Sequence, residues 1–173
     1  MQVLNQQERH KVKFMLNGQQ VEGLAEPRML LTDFIRHEIG ATGTHVGCEH
    51  GICGACTIRM NGLAVRACLM LAVQADGQTI ETVEGLAAKD GTLSVLQAAF
   101  HRNFALQCGY CTPGFLMSLS EYLEKNPDPT EADIRVALSG NLCRCTGYAE
   151  IVNAALEAAK EIQTQQASNA EKQ

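Results

Sequence analysis

Val12, Phe14 and Leu16 alternate with Lys11, Lys13 and Met15, Asn17-Gly18 supplies the pair a type I′ turn needs, and residues 21–24 return as a second strand. An opening β-hairpin is predicted. After Pro27 the apolar positions Leu30, Leu31, Phe34 and Ile35 take helical spacing, with Gly40 as the stop. A glycine-rich cysteine loop over 43–54 follows. Residues 57–60, the turn pair Asn61-Gly62 and residues 63–68 predict a second hairpin, and 79–83 alternates as a fifth strand before Gly85. The second half changes period. Leu93, Leu96, Ala99 and Phe100, then Phe115, Leu116, Leu119, Tyr122 and Leu123, repeat every three to four residues. Thr112-Pro113 sets a cap residue before a first-turn proline, and Thr130 to Asp133 has the form of a capping box ahead of Ile134, Ala137 and Leu138, a helix ending at Gly140. Ile151, Val152, Ala155, Leu156 and Ala159 form a last stripe, and the polar, aperiodic stretch 163–173 is expected as a flexible C-terminal tail. The pattern is α+β: a small mixed sheet over residues 10–86, then helices over 87–162, with the boundary inside 84–91 and no internal repeat.

Composition narrows the chemistry. The chain has 173 residues, 46% hydrophobic and 19% charged, enough for one large domain or two small ones. Fourteen Lys and Arg against nineteen Asp and Glu leave a net charge of −5, which argues against nonspecific attraction to nucleic acid or anionic lipid. The first ten residues carry no apolar core of signal-peptide length and no twin arginine, and no stretch approaches the roughly 20 apolar residues of a membrane span. A cytoplasmic location is therefore expected. In that reducing compartment disulfides are poor structural devices, so the eight cysteines point to metal thiolate chemistry rather than to a secreted disulfide scaffold.

The cysteines fall into two sets. Cys48, Cys53 and Cys56, spaced x4 and x2, with Cys68 on the neighbouring strand, have the ligand spacing of a plant-type [2Fe–2S] centre, where glycines 47, 51 and 54 let backbone N–H groups turn toward sulfur. A zinc knuckle would pair two Cys-x2-Cys elements instead. Cys108-x2-Cys111 and Cys143-x-Cys145 form the second set. Positions two apart lie about 200° around a helix, so Cys143-Arg144-Cys145 must sit in a nonhelical turn, for which Gly140 and Gly147 provide breaks. By spacing alone this set suits either zinc or a cluster.

The strings around these cysteines carry a resemblance. Gly47-Cys48-Glu49-His50-Gly51-Ile52-Cys53-Gly54-Ala55-Cys56-Thr57, Gln107-Cys108-Gly109-Tyr110-Cys111-Thr112-Pro113-Gly114 and Gly140-Asn141-Leu142-Cys143-Arg144-Cys145-Thr146-Gly147-Tyr148 resemble the iron–sulfur subunit of the xanthine dehydrogenase, or molybdenum hydroxylase, family. The likeness spans residues 10 to 160 and is strongest to the separate small subunit of bacterial carbon monoxide dehydrogenase type complexes. It implies a β-grasp plant-type ferredoxin domain and an all-α four-helix domain, each holding one [2Fe–2S] cluster. It further implies a large partner subunit with a molybdopterin cofactor that hydroxylates substrate with oxygen from water, a medium partner subunit with FAD, and a dimer of such heterotrimers. By the same resemblance Gln107 and Cys145 approach the pterin; the plainer alternative for Gln107 is a helix cap.

The remaining candidates carry less. His45 and His50 flank the first loop, but four thiolates are already present there and no Cys-x-His pair occurs. Arg144 either offsets cluster charge or is simply solvated. His10, His37 and His101 lack a partner at a catalytic spacing, and no dinucleotide or phosphate-binding glycine motif occurs. Met29, Met60, Met70 and Met117 read as core. Two other functions compete with the electron-transfer subunit: a free-standing two-cluster ferredoxin-like carrier and a zinc-stabilised interaction module.

Overall fold

A computed structural model describes residues 4–170. Strands β1 (His10–Leu16) and β2 (Gln19–Ala25) pair antiparallel through Asn17 and Gly18, both at positive φ as a type I′ turn requires. The chain then forms a short helix, α1 (Leu31–Asp33), that widens into π-helical turns over Phe34–Glu38 and closes with bonds from Ile39 N to Phe34 O and from Ala41 N to Ile35 O. Past the cysteine loop come β3 (Thr57–Met60) and β4 (Leu63–Arg66), antiparallel, and then β5 (Thr79–Glu81), which lies between β1 and β3. The sheet order is β2-β1-β5-β3-β4, parallel only between β1 and β5. One face buries Val12, Phe14, Ile58 and Ile80 against Leu31, Phe34 and Ile35, each large side chain worth about 1.5–3 kcal/mol.

Two strands are shorter than the alternation predicts, for traceable reasons. Thr82 N donates to Asn17 Oδ1 at 2.9 Å and Asn17 Nδ2 donates to Thr82 Oγ1 at 2.9 Å, so the first turn clamps the chain where β5 ends. Val83 then turns into a 3₁₀ segment and packs on the helical core instead of the sheet. Likewise β4 stops at Arg66, and Cys68 is delivered by the 3₁₀ turn Ala67–Leu69 rather than by a strand.

Four helices complete the fold: α2 (Val95–Arg102), α3 (Thr112–Lys125), α4 (Glu131–Ala137) and α5 (Ala149–Ala170). Ser94 caps α2 in a capping box with Gln97, which leaves Leu93 outside the helix and half exposed rather than in its apolar stripe. The Thr130 and Asp133 capping box forms as its sequence requires, and α4 ends at Ala137, ahead of Gly140. Phe100, Phe115, Leu119, Ile134 and Ile151 build a second apolar core. The last helix continues through Ala170, where the polar pattern predicts a loose tail. Gln163 Nε2 donates to Pro127 O, and the alanines and glutamines there are good helix formers. Residues 171–173 lie outside the described residues.

The two cores meet along α3, which lies over β3 and β4. The junction is polar and close. Arg59 of β3, only 9% exposed, forks onto both oxygens of Glu124 of α3 at 2.5 and 2.6 Å, with Glu81 at 3.4 Å from its Nε. A Cβ on Gly114 would stand 2.2 Å from Gly54 O, so the helix touches the cysteine loop backbone to backbone. Gly114→Ala is therefore expected to destabilise the protein by about 1–3 kcal/mol through forced separation. Urea unfolding measures it, and an unchanged midpoint refutes the contact.

Candidate metal centres

Residues 43–56 turn back on themselves because Glu49, Gly51 and Gly54 all adopt positive φ. That path aims backbone N–H groups at one sulfur: Cys53 N donates to Cys48 Sγ at 3.4 Å. Gly47 leaves room for the neighbouring sulfur, since a Cβ there would lie 3.0 Å from Cys53 Sγ. N–H donors of Cys53 and His50 hold the Cys48 thiol down at about 6. Burial acts the other way on Cys56 and pushes it up to about 12, and it raises Cys53 as well.

The second set forms where α3 begins and after α4 ends. Cys111 precedes the first residue of α3, Gly109 takes positive φ, and Cys143-Arg144-Cys145 lies in an irregular turn followed by positive φ at Gly147 and Tyr148. The turn is nonhelical, as the one-residue spacing of its cysteines demands. Thr146 donates to Cys143 Sγ through Oγ1 at 3.1 Å and through N at 3.4 Å, and Tyr148 OH accepts from Cys143 N at 2.8 Å. Burial works to raise Cys143, yet the Thr146 donors hold it below the usual thiol range. Burial pushes Cys111 up to about 12.

All eight cysteines are free thiols, and their sulfurs meet in pairs. Cys48 lies against Cys53, Cys56 against Cys68, and Cys111 against Cys143, while Cys145 Sγ is 3.5 Å from Cys108 Sγ. Among the described residues no three Cys, His, Asp or Glu side chains converge on a point that one ion would occupy. Two pairs per set suit a two-iron cluster, each iron taking two thiolates, and not a zinc ion that gathers four donors about itself. The Thr112 hydroxyl, next to Cys111 in sequence, is buried without a protein partner, a spare donor of the kind an anionic cluster would satisfy. The histidines do other work. His50 Nδ1 meets Cys48 O, and His45 Nδ1 meets Tyr110 O at 2.7 Å with its ring stacked on Tyr110.

Residues 5–92 match a family described as a 2Fe-2S iron-sulfur cluster binding domain, and residues 82–156 match one described as a [2Fe-2S] binding domain. Caffeine dehydrogenase subunit gamma of Pseudomonas sp. (strain CBB1) is 54% identical over 148 residues, 84% of this chain and 88% of that one. The nicotine 6-hydroxylase small subunit of Paenarthrobacter nicotinovorans is also 54% identical, over 90% of this chain and 93% of its own. The chain belongs to the iron–sulfur small subunits of the xanthine dehydrogenase, or molybdenum hydroxylase, family.

This molybdenum hydroxylase small subunit superposes on the crystal structure of quinoline 2-oxidoreductase from Pseudomonas putida 86 with a TM-score of 0.87 at 45% identity, covering 91% of this chain and 98% of that one. It is an electron-transfer component of an oxidoreductase, with two [2Fe–2S]-binding domains. Among the described residues no helix is long and apolar enough to cross a membrane. Gln107 and Cys145, the expected neighbours of the pterin, lie on one exposed rim: Cys145 touches Cys108, and Gln107 precedes it. Gln107 does not cap α3, whose N-cap is Cys111. Arg144 is exposed. Sequence reasoning missed Arg59 and Asn141, buried polar side chains at the junction; a lone polar residue in an apolar stretch gives no sign of a distant partner.

The thiols' environments set an order of reactivity. In chelator-stripped protein Cys48 is expected to be alkylated first, its rate rising as pH passes about 6, while Cys56 and Cys111 lag through neutral pH because each stays protonated up to about 12. Peptide mapping after timed iodoacetamide treatment checks this; Cys56 labelling ahead of Cys48 would contradict the electrostatics.

Proposed function

We propose that this chain carries single electrons from a molybdopterin-bound molybdenum in a large partner subunit to FAD in a medium partner subunit. They pass first the Cys108, Cys111, Cys143 and Cys145 centre and then the Cys48, Cys53, Cys56 and Cys68 centre. The observation that carries the reading is the direct contact of the two cysteine-bearing loops: Leu142 N, beside Cys143, donates to Cys53 O at 2.9 Å. When bound, [2Fe–2S] clusters supply one-electron redox chemistry. The chain's own part is to hold them. Cys48 with Cys53 and Cys56 with Cys68 would each share an iron, as would Cys108 with Cys145 and Cys111 with Cys143. The division is a ferredoxin-type domain over 10–86 and a helical one over 87–162.

Exposure supports the direction. Cys108 and Cys145 are exposed, whereas Cys56 and Cys68 are buried. Phe104, 81% exposed, with Leu106, Tyr110 and Leu142, flanks the exposed pair in sequence, an apolar rim suited to a partner's surface. Gln107 and Cys145 would face the pterin there. Relatives named for caffeine, nicotine and quinoline support a nitrogen heterocycle as the substrate that the large subunit hydroxylates. The assembly is a dimer of heterotrimers in the cytoplasm.

Metal analysis of the native complex drawn out through a tag on this chain should return about four irons and about one molybdenum per copy. Iron without molybdenum or partner chains would point to a free carrier instead. Cys108→Ser or Cys145→Ser should abolish steady-state turnover while the molybdenum site still oxidises one equivalent of substrate. Cys48→Ser should block electron arrival at flavin, followed as flavin absorbance; normal turnover in these variants refutes the reading.

A further inference from the structure

Among the described residues, the hydrogen bond from Leu142 N to Cys53 O is the one place where a residue next to a cysteine of the second set bonds to a cysteine of the first. Other contacts between the loops reach the sulfurs by longer detours. His45 meets Tyr110 O, Tyr110 OH donates to Val46 O, and Arg66 donates to Gly140 O at 2.7 Å. What fixes Leu142 in place is its neighbour. Asn141 is 2% exposed; its Nδ2 donates to Gly54 O at 3.3 Å and its Oδ1 accepts from Ser118 Oγ at 3.0 Å. Its own N donates to Leu138 O at 2.9 Å, at the end of α4. One carboxamide thus ties the first cysteine loop to α3 at the entry to the second cysteine turn. Gly54 admits it: a Cβ there would lie 2.6 Å from both Asn141 Nδ2 and Gly140 O. A buried carboxamide bonded at both ends has a single orientation, and losing it strands Ser118 Oγ and leaves Gly54 O bonded only within its own loop, to Thr57.

We propose that Asn141 is a positioning residue for electron transfer between the two centres: its buried carboxamide holds Leu142 N–H on the Cys53 carbonyl oxygen, the shortest bonded route between the cysteine sets. This rests on the electron-transfer reading above. Asn141 hydrogen-bonds to none of the eight cysteines. Its removal changes the relation between the centres while each keeps its own four thiolates.

The test uses the loaded complex, with rapid-freeze EPR after substrate is mixed in, following reduction of each cluster separately. Asn141→Ala should keep about four irons and both cluster signals at unchanged g values. The second cluster to be reduced should then lag by at least about tenfold, the scale expected when a positioned contact shifts by about 1 Å. Spin–spin broadening between the two reduced clusters should weaken in parallel, a change that a merely structural role would not produce. Ser118→Ala, which frees one end of the carboxamide, should give a smaller lag in the same sense. Wild-type kinetics and broadening in iron-replete Asn141→Ala overturn the proposal; if that variant loses iron, wild-type kinetics in Ser118→Ala overturn it. Absence of electron transfer between clusters in the wild-type complex overturns the reading beneath it, and that result is visible before any variant is made.

Discussion

Two loops, each carrying reactive sulfur, must touch backbone to backbone, and the architecture follows from that constraint. A side chain at Gly114 would collide with Gly54 O, and one at Gly54 with Asn141 and Gly140. No apolar filler fits such a gap. The junction is held instead by directional bonds: the Asn141 carboxamide, Leu142 N to Cys53 O, Arg66 to Gly140 O at 2.7 Å, and the Arg59 fork on Glu124. Hydrophobic burial is tolerant of small shifts, whereas hydrogen bonds lose strength with a few tenths of an ångström or a modest change of angle. The two apolar cores supply stability and the polar seam supplies distance. The Arg59 fork fits this division, because an ion pair between a buried guanidinium and an exposed carboxylate adds little net stability, while its two parallel bonds fix the geometry.

Much of this was legible in the chain. Both Asn-Gly hairpins, both capping boxes and the division into sheet and helices are local signals, written within five residues of where they act. The cysteine spacings separated the first set from zinc. Local rules failed where distant groups intervene. The pattern over 79–83 continues as a strand until Asn17, more than sixty positions earlier, clamps Thr82 and sends Val83 to the other core. Leu93 has helical spacing but falls before the Ser94 cap. The polar end of the last helix has no apolar stripe to announce it, and is held by composition and by Gln163 against Pro127. Asn141 and Arg59 were invisible because each has a partner far away in sequence across the seam, Gly54 for one and Glu124 for the other. A polar residue flanked by Gly140 and Leu142 beside a cysteine turn was the available hint.

Each cysteine set combines opposed tendencies. Backbone donors favour the thiolate at Cys48, and Thr146 favours it at Cys143, while burial disfavours it at Cys56 and Cys111. Without a cation Cys56 and Cys111 hold their protons, so neither set carries four uncompensated charges. Metal entry must then displace those protons, which makes loading of the buried thiols pH-dependent and couples it to the surrounding fold. Cys56 and Cys68 belong to the core beneath the sheet, and Cys111 and Cys143 pack against the helical core. Each centre is thus an extension of one hydrophobic core toward the seam. A fold built this way can shield its metal centres on the inner side while bringing them close to each other, and it leaves Cys108 and Cys145 exposed at the outer edge.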